Sequence, residues 1–227
     1  MKKALSIALA LCLALSVTAC GKSNSGAASS SSAGSASQSA ASTAQAQRVE
    51  PQNGAAINTE DLADGTYAVS FSSSDVIDNA GLLELHFTVY NYALYDAVEV
   101  SNLAAGDTLV VDGQDMTVET VEQTEAGIIV NGGLENGGVE LAPGDGGTWY
   151  ISQMDGAKDY QPVGEATLPV SQDFVLTDDS DQDNPGQTLL AGDLFSLEDD
   201  SQGYVPNNTT LTVEGGYIVS AQRSFMP

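Results

Sequence analysis

Leu83, Leu85, Phe87 and Val89 alternate with Glu84, His86 and Thr88, so an extended chain here carries an apolar face and a polar face. After the Asp64-Gly65 turn signal, Tyr67, Val69 and Phe71 share a face in the same way. Residues 97–100, 108–111, 116–121, 128–130, 148–152, 165–170 and 174–176 are further short runs rich in β-branched, aromatic or apolar residues. Asp112-Gly113 predicts a tight hairpin turn between the runs at 108–111 and 116–121. Gly215-Gly216 predicts a terminal hairpin joining 209–213 to 217–221. Helical spacing occurs at Leu190, Leu194 and Leu197, weakened by Gly192. Residues 155–162 show no period and read as irregular. The expected fold is all-β, a sandwich or barrel of short, mostly antiparallel strands with room for one short helix.

Two stretches stand outside this pattern. Lys2 and Lys3 precede an apolar run from Ala4 to Val17, about fourteen residues, the length of a signal-peptide core. As a helix it would measure about 21 Å against about 30 Å of hydrocarbon, which is short for a permanent span. Residues 21–56 are dominated by Ser, Ala, Gly and Gln and lack periodicity, so they read as a flexible tether with a reach of about 30–36 Å. This divides the chain into a leader at 1–19, Cys20 with its tether at 20–56, and a β domain at 57–227.

Val17-Thr18-Ala19-Cys20 resembles the lipobox of bacterial lipoprotein precursors: a branched apolar residue, two small residues, then cysteine. The resemblance covers only about the first twenty residues. It implies a diacylglyceryl thioether on the Cys20 sulfur, cleavage between Ala19 and Cys20, and a mature protein held on the membrane by acyl chains. Two chains suffice for stable anchoring, because each buried CH2 contributes about 0.8 kcal/mol. Cys12 would leave with the leader, so the mature chain would have no disulfide and no thiol available for catalysis. The expected location is extracytoplasmic, lipid-anchored to the bacterial cell membrane.

Charge narrows the partners. Of the 31 acidic residues all but Glu50 lie from Ile57 onward, where only Lys158 and Arg223 oppose them, a formal charge of −28 on that part. Such a surface repels nucleic-acid phosphates and anionic headgroups and favours cations. The expected partners are therefore the membrane through Cys20, no nucleic acid, and a glycan or a cationic protein.

Candidate chemistry is sparse. Asp179, Asp181 and Asp183 occupy the first, third and fifth positions of a calcium-loop pattern, so calcium is the one cofactor the sequence suggests. The pattern then breaks at Asn184, where glycine belongs, and at Leu190, where a bidentate glutamate belongs; Asp193 or Asp199 would have to supply donors. His86 is the single histidine, on the polar face of its strand, and no GxSxG or HExxH motif is present. Asn131-Gly132-Gly133 and its echo Asn136-Gly137-Gly138 read as turns, since no phosphate-loop context surrounds them. Tyr90, Tyr92 and Tyr95 cluster near a strand end, and Trp149 and Tyr150 must face opposite ways, so one looks outward. Outward aromatics can stack on sugar rings or anchor a protein; Trp149, Tyr90, Tyr92 and Tyr95 are the candidate ligand contacts. These features favour a non-catalytic β binding or scaffolding domain on a surface lipoprotein. The alternatives are a carboxylate-based hydrolase acting on carbohydrate and an accessory subunit of an envelope or uptake complex.

Overall fold

The computed structural model describes residues 46–53, 57–197 and 203–226. Cys20, the expected leader and most of the expected tether lie outside the described residues, as does Asp199. The protein is all-β, with strands in three sheets and only short helical pieces. Among the described residues no helix is long and apolar enough to cross a membrane.

The chain enters through β1 (Arg48–Val49), upstream of the expected start at Ile57. Then come β2 (Gly65–Ser70), β3 (Val76–Asn79) and the long β4 (Leu82–Asn91). Next are β5 (Leu94–Asp96), α1 (Ala97–Ser101), β6 (Thr108–Val111), β7 (Gln114–Thr117) and β8 (Val121–Gln123). After these come β9 (Ile128–Val130), β10 (Val139–Pro143) and β11 (Thr148–Ser152). The chain finishes with β12 (Gln161–Asp179), β13 (Gln187–Leu190), β14 (Thr209–Glu214) and β15 (Tyr217–Ser224).

The largest sheet runs β13-β12-β15-β14-β2-β4-β3, and a further β12–β4 pairing closes five of these strands into a ring. Closure depends on β12 changing neighbours. Its first half pairs antiparallel with β4, from Gln161↔Asn91 to Pro169↔Glu84; its second half pairs parallel with β15, from Val170↔Ile218 to Asp179↔Ser224. Pro169 sits at the switch, where a residue without an N–H is tolerated. The two expected strands at 165–170 and 174–176 are thus one bent strand, with the irregularity between Val170 and Val175. Alternation puts Val69, Leu85, Phe87, Val89, Phe174, Leu176, Leu211 and Ile218 inside the ring. Leu194 and Leu197 cap this core from a 3-10 turn at Ala191–Ser196, whereas Leu190 ends β13 and is 58% exposed. The helical spacing at Leu190, Leu194 and Leu197 therefore falls on a strand end followed by this turn.

Between β4 and β12 the chain builds a second lobe with a separate core of Val49, Tyr95, Leu109, Val130, Leu141 and Ile151, among others. It comprises a sheet ordered β5-β11-β10-β9-β8 and a three-stranded sheet β1-β6-β7. The Asp112-Gly113 hairpin forms as expected, with φ of 50° and 72° at its two turn residues. Residues 97–100, expected extended, are helical in α1. The Asp96 carboxylate caps the helix, accepting hydrogen bonds from Val98 N (2.8 Å) and Glu99 N (3.1 Å), and this turns the chain despite its β-branched valines. β10 fits against β9 because Gly138 has no side chain: a Cβ there would lie 2.0 Å from the Val130 carbonyl oxygen.

The segment entering the domain is strapped onto this lobe. β1 pairs parallel with β6, and Val49 is fully buried. Asp107, itself buried, accepts hydrogen bonds from Gln47 N (2.9 Å) and Ala104 N (2.8 Å). Asn53 bridges the neck by donating to Tyr92 O (2.7 Å) and accepting from Leu94 N (2.9 Å).

Candidate functional site

The acidic loop after β12 does not gather its carboxylates. One Asp179 oxygen accepts the Gly186 N–H (2.8 Å), and one Asp181 oxygen accepts the Asp183 N–H (2.9 Å), so these side chains shape the turn into β13. Asp193 likewise accepts from Leu190 N (2.8 Å). Among the described residues no three His, Cys, Asp or Glu side chains come together in a group suited to a metal ion.

His86 lies on the outer face of the ring, where its strand partner is Thr167. Its Nδ1 is 2.9 Å from Thr167 Oγ1, and its Nε2 is 3.8 Å from Glu165 Oε2. The Asn-Gly segments are turns, with their amides used on the backbone. Asn131 accepts from Glu119 N (2.7 Å) and donates to Thr117 O (2.8 Å), and Asn136 donates to Gly132 O (2.8 Å).

The four aromatic candidates separate in the fold. Tyr95 is fully buried in the second lobe and donates to Val110 O at 2.8 Å, so it is a core residue with its polar end satisfied and cannot touch a ligand. Burial, with the nearby Asp112 and Asp159 charges, pushes its phenol well above the ordinary range. Trp149 packs against the same core. Tyr90 sits within hydrogen-bond distance of Ser70 Oγ (3.1 Å) on the barrel. Tyr92 alone of the four joins an open aromatic cluster.

That cluster forms where the two neck strands part. Asn91 and Gln161 are paired across β4 and β12, so the next residue on one strand, Tyr92, and the preceding residue on the other, Tyr160, meet edge-to-face at 5.1 Å. Tyr150, the outward neighbour of Trp149 on β11, meets Tyr92 at 6.1 Å in the same geometry. Lys158 completes the group. Its ammonium donates to Tyr92 Oη (2.9 Å) and lies 4.3 Å from the centre of the Tyr92 ring and 5.9 Å from that of Tyr150. Burial works against the charge, but the Tyr92 hydroxyl and the surrounding phenol oxygens outweigh it and raise the Lys158 pKa. Burial also raises that of Tyr160, with Lys158 pulling the other way.

The loop that carries Lys158 is held by its own backbone. Gln153 N donates to Ala157 O (2.8 Å), Asp159 N to Ile151 O (3.0 Å), and Ser152 bridges to Lys158. Gln153 Nε2 donates to Asp159 Oδ1 (2.5 Å), and Ala157 N to Asp155 Oδ1 (3.0 Å). Tyr150 forms a wall of three surface clefts. One, of about 350 Å3, is lined by Tyr150, Asp155, Lys158, Tyr160, Asn207 and Phe225, and so joins the second lobe to the barrel. The second, of about 370 Å3, lies on the Tyr92, Asp145 and Lys158 side. The third, of about 380 Å3, extends past Met154 to Thr124.

Sequence reasoning reached Tyr92 and an outward member of the Trp149–Tyr150 pair but missed Lys158 and Tyr160. The available signal was charge: Lys158 is one of two basic residues after Ile57. These features define an all-β protein with a closed barrel, an inserted β lobe and an aromatic, lysine-bearing cleft at their junction. The chain matches no family model, no curated protein and no solved structure.

Proposed function

We propose that this chain is a bacterial surface lipoprotein, anchored through Cys20 outside the cytoplasm, whose β domain binds its ligand without transforming it. The observation that carries the binding half is the cleft at the lobe junction. Three tyrosines and one ammonium converge there, and the sequence holds no GxSxG or HExxH motif. The lipobox-like segment Val17 to Cys20 and the Ser/Ala/Gly-rich stretch after it support the anchoring half.

Each half has a direct test. Radiolabelled fatty acid enters the wild-type chain in a bacterial host and not Cys20→Ser; equal labelling removes the anchor. On a glycan array the protein retains defined oligosaccharides, and mass analysis of each captured glycan finds it intact. Shortened products would instead assign a hydrolase.

A further inference from the structure

Three basic side chains fall among the described residues, and they are not treated alike. Arg48 is paired with Glu50 (2.7 Å) and Asp115 (2.5 Å). Arg223, buried beneath the barrel wall, has Asp178 at 3.4 Å and stacks 4.5 Å over the Tyr204 ring. Lys158 has no carboxylate within ion-pair distance among the described residues, although the surrounding domain is crowded with them. Its ammonium has three donors and shows one bond, to Tyr92 Oη. The remaining donors border two clefts that Tyr150 separates.

The groups around that ammonium specify a chemistry. Tyr150, Tyr160 and Phe225 offer apolar ring surface, and Phe225 is 38% exposed. Asp155 supplies an acceptor, and Asn207 supplies a donor and an acceptor. Aromatic platforms suit the C–H faces of a sugar ring, and the mixed donors and acceptors suit its hydroxyls. An ammonium with no carboxylate partner among the described residues suits a carboxylate on the same ring. Three adjoining clefts that share one tyrosine wall suit several linked rings better than one.

Resting on the binding function proposed above, we infer that this cleft selects a carboxylate-bearing sugar, a hexuronic acid residue within a polysaccharide. The domain's negative charge opposes any anion, and Asp155 and Asp145 bring two carboxylates to the cleft walls. Charges more than about 8 Å away are largely screened at physiological salt, so the contest is local, between these two and the Lys158 ammonium. The acidic loop at Asp178–Asn184 and the outer barrel face around His86 present no comparable convergence of ring faces and ammonium.

Calorimetry of the full chain in detergent tests this with three probes: an oligogalacturonate, the neutral oligogalactoside of the same length, and a short acidic peptide. The oligogalacturonate binds about tenfold to a hundredfold more tightly than the neutral sugar, the range expected for one charge-assisted hydrogen bond. Lys158→Met removes that preference, Lys158→Arg keeps it, and Tyr150→Ala weakens both sugars together. The Lys158→Met chain keeps the wild-type far-ultraviolet circular dichroism and melting temperature. This guards against a merely structural loss in Lys158→Met. Equal affinity for the two sugars overturns the acid selectivity and leaves the binding module standing. Tighter binding of the peptide overturns the sugar assignment. Failure of both sugars to bind overturns the inference, while captured glycans on the array would still uphold the broader reading.

Discussion

The barrel and the inserted lobe solve the same problem differently. In the barrel five strands close on one another, so the hydrogen-bonding edges are paired, and an alternating inner face supplies the core. The lobe has open sheets and gathers its core from shorter pieces, including a two-residue strand contributed by the segment that enters the domain. The barrel is therefore a platform, and the lobe is held onto it by the β4–β12 neck and the strap at residues 47–53. The cleft belongs to both: the lobe supplies Tyr150 and Lys158, and the barrel side supplies Asn207 and Phe225. A site at such a junction is sensitive to anything that loosens the lobe, even when the barrel stays folded.

The strongest way to break this contrast is to open the barrel core. Phe87→Ala removes a ring that is 1% exposed and should lower stability by about 3–5 kcal/mol, visible as an early urea midpoint by far-ultraviolet circular dichroism. Asp107→Ala acts on the strap and on the turn that leads into β6. Losing the acceptors for Gln47 N and Ala104 N should cost about 1–3 kcal/mol, with hydrogen exchange rising at β1 and β6 and little change in β4 or β15. Uniform exchange across both lobes would show that they open as one unit.

Alkaline titration probes the lobe core through Tyr95. Its folded-state pKa lies above the ordinary 10.0, so its stabilising contribution is complete below pH 10.0 and is lost as pH rises beyond it. Each further pH unit should remove about 1.4 kcal/mol until the fold opens and the phenol ionises, followed as phenolate absorbance at matched Trp149 fluorescence. Tyr95→Phe should flatten this dependence. Asp96→Ala has a smaller effect, about 1 kcal/mol, by uncapping α1 at the lobe's edge. The smallest shift concerns the loop at Asp179, Asp181 and Asp183. With one oxygen each of Asp179 and Asp181 used on backbone N–H groups, millimolar calcium should raise the melting temperature no more than NaCl of equal ionic strength. An excess shift lost on alanine substitution of all three would restore a calcium site.

The two regions also differ in how far their sequence could be read. In β4, seven residues of clean alternation from Leu83 to Val89 announce one buried face, and Leu85, Phe87 and Val89 take it. β1 offers no such signal, because two residues have no period and Val49 is the single branched apolar side chain in a Gln- and Ala-rich stretch. β10, at Val139–Pro143, is hidden behind paired glycines and is too short to show more than one alternation. In α1, Val98 and Val100 read as extended residues until the Asp96 cap is seen to supply the helix with its first acceptor. Tyr95, picked out by its neighbours Tyr90 and Tyr92, is drawn inside because the chain turns at that cap.

By itself the sequence determined the class of fold and the polyanionic character, and it carries the lipobox-like run Val17 to Cys20, because alternation, composition and a local motif are properties of neighbouring residues. The three-dimensional structure alone decided that β12 would close the ring, that the segment before Ile57 would become a strand, and that Lys158 would meet Tyr92 from 66 residues away. Those outcomes depend on which strands pair. Pairing is settled by the burial of whole faces, so no stretch of neighbouring residues carries it.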